Sequence, residues 1–148
     1  MGEHLRHDLA AIKAGQADEI FVYEAELLEM IAADPQAMAS ATTLVFSSAD
    51  FADQRFSAVA DLKALRNVAI NASKNADALL AHMRGMESVE KLYVEQSPVS
   101  FRGISALATL PNLKHVRFEQ PVSARHAELL KKTLPKVNLR LPYVASGD

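Results

Sequence analysis

The sequence predicts an α/β protein in which short parallel strands and helices alternate once every 24 residues. Three observations lead to this fold class. Short segments recur at a shift of 24 residues, an apolar pattern recurs at the same interval, and the apolar spacing within each interval changes from period two to helical spacing. A single strand–helix unit cannot bury both of its apolar faces, so stacked neighbours must share one core.

Composition limits the class of protein. A chain of 148 residues is long enough for one compact domain or one short repeat array. The formal charge of -2 argues against a nucleic-acid-binding surface spread over the whole molecule, and the absence of cysteine excludes disulfides and thiolate metal sites. Residues 1–14 do not resemble a signal peptide, and no apolar run is long enough to span a membrane. We therefore expect a cytoplasmic protein that binds neither nucleic acid nor membrane.

The repeats are visible in two short segments. Residues 109–113 (TLPNL) return as residues 133–137 (TLPKV), and residues 94–99 (VEQSPV) return one residue shorter as residues 118–122 (FEQPV). The common apolar pattern is L-x-x-L-x-x-L-x-L, whose last part alternates as a half-buried strand does. Four strict copies are apolar at every position, a last copy needs one deletion, and an imperfect first copy has Ile20 and Val22. The strict copies are Met38, Ala41, Leu44 and Phe46; Leu62, Leu65, Val68 and Ile70; Met86, Val89, Leu92 and Val94; and Leu110, Leu113, Val116 and Phe118.

The segments between the predicted strands have apolar residues at helical spacing, for example Phe56, Val59 and Ala60. Plausible N-cap residues precede the predicted helices, namely Asp50, Ser100 and Ser123. Residues 1–15 also have the spacing of an amphipathic helix, at Leu5, Leu9 and Ile12, which would cap the first repeat. Residues 142–148 are expected to form a solvated tail.

These repeats resemble leucine-rich repeats, most closely the 24-residue bacterial type, with ribonuclease-inhibitor-like strand–helix units. Residues 101–108 (FRGISALA) look like the Gly-Ala-Leu-Ala stretch of that subclass. The resemblance covers about residues 38–141. It implies one domain over 1–148, a short solenoid of about five repeats over 20–141, with a parallel sheet on the concave face and helices on the convex face. The family's ladder asparagine is replaced by Ala49, Ser73, Ser97 and Pro121, so serine, water or tighter helix packing must satisfy the backbone there.

A partner-binding site is predicted on the open face of the sheet, where the side chains that alternate with buried ones point. This face changes from small and neutral to aromatic and charged towards the C-terminus. Tyr93 and Arg117 are residue types that often dominate binding energy at interfaces. The resemblance implies that the face binds another protein, of unknown identity, and that the chain is a monomer or a weak homo-oligomer. The alternative is a solvated sheet with cross-strand ion pairs. The predicted site comprises Lys91, Tyr93, Glu95, His115, Arg117, Glu119 and Arg140.

No enzyme signature is found, so we predict a non-enzymatic protein without cofactor or metal. His4 and His7 lack a third metal ligand at a diagnostic spacing. His82, His115 and His126 accompany no nucleophile in a recognisable catalytic spacing, and Asp50 with Asp53 bracket a probable helix start. These histidines and aspartates are therefore assigned to structure or to solvated surface.

Two other functions stay open. Residues 44–53 (LVFSSADFAD) loosely resemble the strand–loop segment of STAS domains, the anti-sigma-factor antagonists, which switch by serine phosphorylation. The expected phosphoacceptor is missing, because Asp53 is followed by Gln54, Arg55 and Phe56. The second alternative is that the array is the substrate-recognition part of a larger effector.

Overall fold

Six strands form one parallel sheet in which the spatial order of the strands follows the chain. The structure is a computed structural model that describes the backbone of residues 2–145 and the side chains of residues 8–145. A second, two-stranded sheet lies at the C-terminal end. The strands of the large sheet are β1 (Ile20–Val22), β2 (Thr43–Ser47), β3 (Asn67–Asn71), β4 (Lys91–Glu95), β5 (His115–Glu119) and β7 (Asn138–Arg140); those of the small sheet are β6 (Val122–Ser123) and β8 (Val144–Ala145).

The strand register equals the period of the sequence. Leu44 aligns with Val68, which aligns with Leu92, which aligns with Val116, as the apolar pattern predicts. Between β5 and β7 the offset falls to 23, with Val116 beside Leu139, so the deletion expected in the last copy is also present. The parallel α/β fold class is thus confirmed.

The helical segments contact one another in the same order as the strands. They are α1 (Gly2–Lys13), α2 (Ala25–Ala32), α3 (Pro35–Ser40), the 3₁₀ helix Gln54–Asp61, α4 (Ala76–His82), α5 (Phe101–Leu107) and α6 (Ala124–Thr133). Contacts link α2 to the 3₁₀ helix, the 3₁₀ helix to α4, α4 to α5, and α5 to α6. The predicted caps Ser100 and Ser123 are confirmed, since their hydroxyls accept the N–H groups of Arg102 and His126.

The segment 54–61 differs from the prediction because its helix is of the tighter 3₁₀ type. In such a helix residues three apart lie above one another, so Phe56 and Val59 are buried whereas Ala60 is only half-buried. The cap is Asp53 and not Asp50, because the Asp53 carboxylate accepts the Arg55 N–H at 3.0 Å. The prediction of Asp50 as this cap was therefore wrong, since the cap lies three residues later.

The core lies between the sheet and the helical segments, and the repeated apolar positions occupy it. All positions of the four strict copies are buried except Met38, which is half-buried. The rings of Phe46, Phe51 and Phe56 pack edge-to-face at 4.9–6.0 Å between centroids. The last copy is less well covered, since Leu139 and Leu141 are half-buried.

A ladder of serine side chains replaces the asparagine ladder. The Ser73 hydroxyl accepts the N–H of Ala49 at 3.1 Å, and the Ser97 hydroxyl accepts the N–H of Ser73 at 2.9 Å. Each hydroxyl donates to the carbonyl oxygen two residues earlier in its own strand, at 2.9 Å. The Gln120 amide ends the ladder by accepting the Ser97 N–H and donating to the Ser97 carbonyl, both at 2.8 Å. Serine, one of the expected means of satisfying these groups, is thus found at two ladder positions, and the next ladder position is filled by Gln120 instead of Pro121.

The residue before each ladder position has a left-handed backbone. Ser48, Ala72 and Gln96 have φ values of 52°, 47° and 50°, although none is glycine. This conformation costs a non-glycine residue roughly 1–2 kcal/mol. It lets the N–H groups of Ser48 and Ala72 donate to carbonyl oxygens of the next strand, at 3.1 and 2.9 Å. The turns after β2, β3 and β4 therefore repeat with the same 24-residue period as the strands.

The two chain ends differ in how well they match the prediction. The helix predicted over residues 1–15 is present as α1, which packs on α2 and α3 and buries Ile12; the Leu5 side chain lies outside the described residues. Residues 142–145 are exposed, as expected of the predicted solvated tail, but Val144 and Ala145 also pair with Val122 and Ser123 in parallel, which the sequence did not predict. Residues 146–148 lie outside the described part of the chain.

Candidate functional site

The site is built from the side chains on one face of the large sheet, here called the strand face. Because side chains alternate along a strand, the first, third and fifth residues of β2 to β5 point to this face. The parallel register aligns them into three rows that cross the strands. The first row is Thr43, Asn67, Lys91, His115 and Asn138; the middle row is Phe21, Val45, Ala69, Tyr93, Arg117 and Arg140; the last row is Ser47, Asn71, Glu95 and Glu119.

All seven residues of the predicted site lie together in these rows. A groove of about 740 Å³ runs along the first and middle rows, and Lys91, Tyr93, His115, Arg117 and Arg140 line it. The two glutamates belong to the last row and do not line the groove. The partner-binding role of the set stays a prediction.

The groove includes residues that the sequence reasoning did not assign. Asp18 and Glu19 line it from the segment before β1, and both are exposed. Phe21 also belongs to the middle row and is half-exposed. The imperfect first copy at Ile20 and Val22 could have assigned Phe21 by its register, whereas no periodic signal marks the two acidic residues.

The N-terminal part of the strand face is small and uncharged. Val45 is nearly covered, at 6% exposure, and its row neighbour Ala69 is half-buried. In the first row, the Asn67 amide donates to the Thr43 hydroxyl at 3.0 Å. This part therefore offers partners mostly van der Waals contact and few free polar groups.

The C-terminal part centres on an aromatic–cation pair. The Arg117 guanidinium lies 5.8 Å from the centroid of the Tyr93 ring, a distance at which the ring face attracts a cation. Arg117 also forms an ion pair with Glu119 on the same strand, and the Tyr93 hydroxyl donates to Glu95 at 3.2 Å. Each glutamate of the last row thus orients one residue of the middle row.

The pKa of Tyr93 is raised above its ordinary value. Partial burial is the main cause, because it disfavours the phenolate, and the nearby Glu95 carboxylate adds to it. The phenol accordingly keeps its proton at neutral pH and remains a hydrogen-bond donor.

Three basic side chains of the groove have no partner among the described side chains. Lys91, His115 and Arg140 make no side-chain hydrogen bond or ion pair with any residue in the range 8–145. Of the pairs that a purely solvated sheet was expected to show, Lys91 forms none with a glutamate among the described residues, whereas Arg117 pairs with Glu119 of its own strand. The polar groups of these three side chains remain available to a ligand.

The other candidates from the sequence have structural surroundings. The pKa of Asp50 is lowered, chiefly because the Asn75 amide donates to it at 2.8 Å, and that of Asp53 is lowered because Arg55 donates to it and forms an ion pair. His126 packs edge-on against Phe101, with 4.6 Å between ring centroids. Both aspartates thus stabilise the turn after β2.

The remaining candidates from the sequence are the STAS-like segment and the terminal histidines. Residues 44–53 comprise most of β2 and the following turn, where Ser47 is half-buried and Ser48 is exposed. No group of three or more metal-ligating side chains comes together within residues 8–145. The side chains of His4 and His7 lie outside the described residues.

No protein-family model fits the chain, and no curated protein is significantly similar to it. None of the helices in the described part of the chain is long and apolar enough to cross a membrane. We therefore infer the function from the residues of the strand face.

Proposed function

We propose that this chain is a cytoplasmic, leucine-rich-repeat-like interaction module that binds another protein through the strand face and has no catalytic activity or cofactor. In this proposal the chain is a short solenoid with the strand face on its concave side. The observation that carries it is the groove in which Tyr93 and Arg117 stand beside the unpartnered Lys91, His115 and Arg140. The same face would serve if the array were the recognition part of a larger effector.

The sheet itself supports a binding role. A parallel sheet is normally covered on both faces, because its strands are built to be buried. Here helical segments cover one face, and the described residues leave a groove over the other. Aromatic and arginine side chains on a rigid scaffold bind at a small entropic cost, which is why these residue types dominate interface energies.

The proposal is tested by capture from an extract of the source organism. The immobilised wild-type protein is compared with the double variant Tyr93→Ala, Arg117→Ala and with Lys132→Ala, a control at an exposed position on α6. We expect the double variant to lose the captured protein and the control to retain it. Cross-linking should place the partner within reach of Lys91.

Unchanged capture by the double variant would contradict the proposal, as would cross-links confined to the helical side. A thermal melt of each variant shows whether lost capture reflects lost folding.

A further inference from the structure

We propose that the strand face binds an extended peptide segment of about seven residues that crosses the strands, with a basic side chain at its β1 end and a carboxylate at its β7 end. This inference rests on the proposed function and specifies the chemistry of the partner. It is carried by the way in which charges are separated along the groove.

The charges that line the groove are of opposite sign at its two ends. Asp18 and Glu19 lie at the β1 end, and Lys91, Arg117 and Arg140 lie at the β4–β7 end. The strands between them, β2 and β3, contribute only neutral side chains to the groove. A ligand that satisfies both ends must therefore carry separated charges, in the opposite order.

The carboxylates of the last row compensate the positive end only in part. Glu119 forms an ion pair with Arg117, and Glu95 accepts a hydrogen bond from the Tyr93 hydroxyl. Neither glutamate lines the groove. Lys91 and Arg140 have no carboxylate partner in the part of the chain that the structure describes, so a ligand carboxylate would be their first.

The dimensions suit an extended chain. Five strand intervals separate β1 from β7, which is roughly 24 Å at about 4.8 Å between neighbouring strands. An extended peptide rises about 3.3 Å per residue, so about seven residues reach from one charged end to the other. A helix of seven residues would span only about 10 Å and would leave one end unpaired.

The middle of the groove defines the central residues of the ligand. Val45 and Ala69 present small apolar side chains, and the Tyr93 ring follows them in the same row. Small apolar side chains on the ligand would pack here, because the Asn67 amide already donates to Thr43. The ligand is therefore charged at its ends and apolar in the middle.

The test uses synthetic peptides labelled with a fluorophore and measures their binding by fluorescence polarisation at low ionic strength. The segregated peptide is Lys-Lys-Ala-Val-Ala-Asp-Asp, and its matched control is Lys-Asp-Ala-Val-Ala-Lys-Asp, which has the same composition with its charges mixed. We expect the segregated peptide to bind about tenfold more tightly, since like charges placed opposite one another oppose binding. A peptide with aspartate at both ends and one with lysine at both ends complete the set.

Charge reversal makes the test specific to the groove. Lys91→Glu with Arg140→Glu renders both ends acidic and should shift the preference to the peptide with lysine at both ends. Asp18→Lys with Glu19→Lys renders both ends basic and should shift it to the peptide with aspartate at both ends. Arg125→Glu with Lys131→Glu, at exposed positions of α6, makes the same net charge change as Lys91→Glu with Arg140→Glu, and we expect it to leave the preference unchanged.

Equal binding of the segregated and mixed peptides would overturn the inference, and so would the absence of binding by every peptide. Tighter binding of a single-stranded oligonucleotide, lost in the Lys91→Glu, Arg140→Glu variant, would overturn it in favour of a nucleic-acid ligand. If the peptide test fails but capture from the extract still depends on Tyr93 and Arg117, the proposed function stands. The failure of the inference and the failure of the proposed function are therefore distinguishable.

Discussion

The N-terminal and C-terminal halves of the sheet share one backbone register but distribute their side chains differently. Around β2 and β3 the core holds three interlocked phenylalanines, and the strand face is small and neutral. At β7 the core is less well covered, since Leu139 is half-buried, and the strand face of β5 and β7 carries Arg117 and Arg140. The side chains on the two faces of the sheet can therefore differ independently, because alternate residues of a strand point into the core and onto the strand face. The phenylalanine cluster lies in one half, and the basic residues of the groove lie in the other.

The largest effect that would test this comparison comes from the core. Phe51→Ala should destabilise the protein by about 3–5 kcal/mol, because a fully buried ring leaves a cavity that its neighbours Phe46 and Phe56 can fill only in part. Leu139→Ala in the C-terminal half should cost less than about 2 kcal/mol, because solvent already reaches that side chain. Urea denaturation of both variants measures the difference. Equal losses would show that the two halves are packed alike.

An intermediate loss of stability is expected from variants of the serine ladder, which extends across both halves of the sheet. Ser73→Ala and Ser97→Ala should each cost about 1–3 kcal/mol, because each leaves a buried N–H of the preceding turn without an acceptor. Ser105→Ala, at an exposed position on α5, is the control and should leave the free energy of unfolding almost unchanged. Thermal melts provide the measurement. Ladder variants as stable as the control would mean that water replaces the hydroxyls at no cost.

The smallest effect on stability is expected on the strand face. Tyr93→Ala and Arg117→Ala should each lower the free energy of unfolding by less than about 1 kcal/mol, since exposed cation pairs and partly exposed rings contribute little. Urea denaturation checks this independently of any binding assay. If either variant unfolds the protein, the residue belongs to the core and the division between packing and charged surface is mistaken.

The features that could be predicted best from the sequence are those formed by repeated residues. The register of Leu44, Val68, Leu92 and Val116 follows from their spacing, because a shift by one residue would turn every apolar side chain away from the core. The grouping of the site residues on one face follows from the same alternation. Single events were harder to predict, such as the exchange of Pro121 for Gln120 in the ladder, which depends on where one residue was deleted.

Features without periodicity could not be predicted. The pairing of Val144 with Val122 joins two short segments that carry no strand pattern. The position of Asp18 and Glu19 at the groove depends on how the segment between α1 and β1 runs, and no spacing in the sequence specifies that path. The pairing of Arg117 with Glu119, where cross-strand pairs were equally possible, depends on side-chain rotamers.

The sequence by itself determined the period, the parallel register and which side chains face away from the core, because hydrophobic burial acts on regularly spaced positions along the chain. Only the tertiary structure decided which charges are paired, where the acidic segment meets the groove and how the ladder ends. These features depend on distances between residues that are remote in sequence, and the number of possible pairings among exposed groups is large while the free-energy differences between them are small.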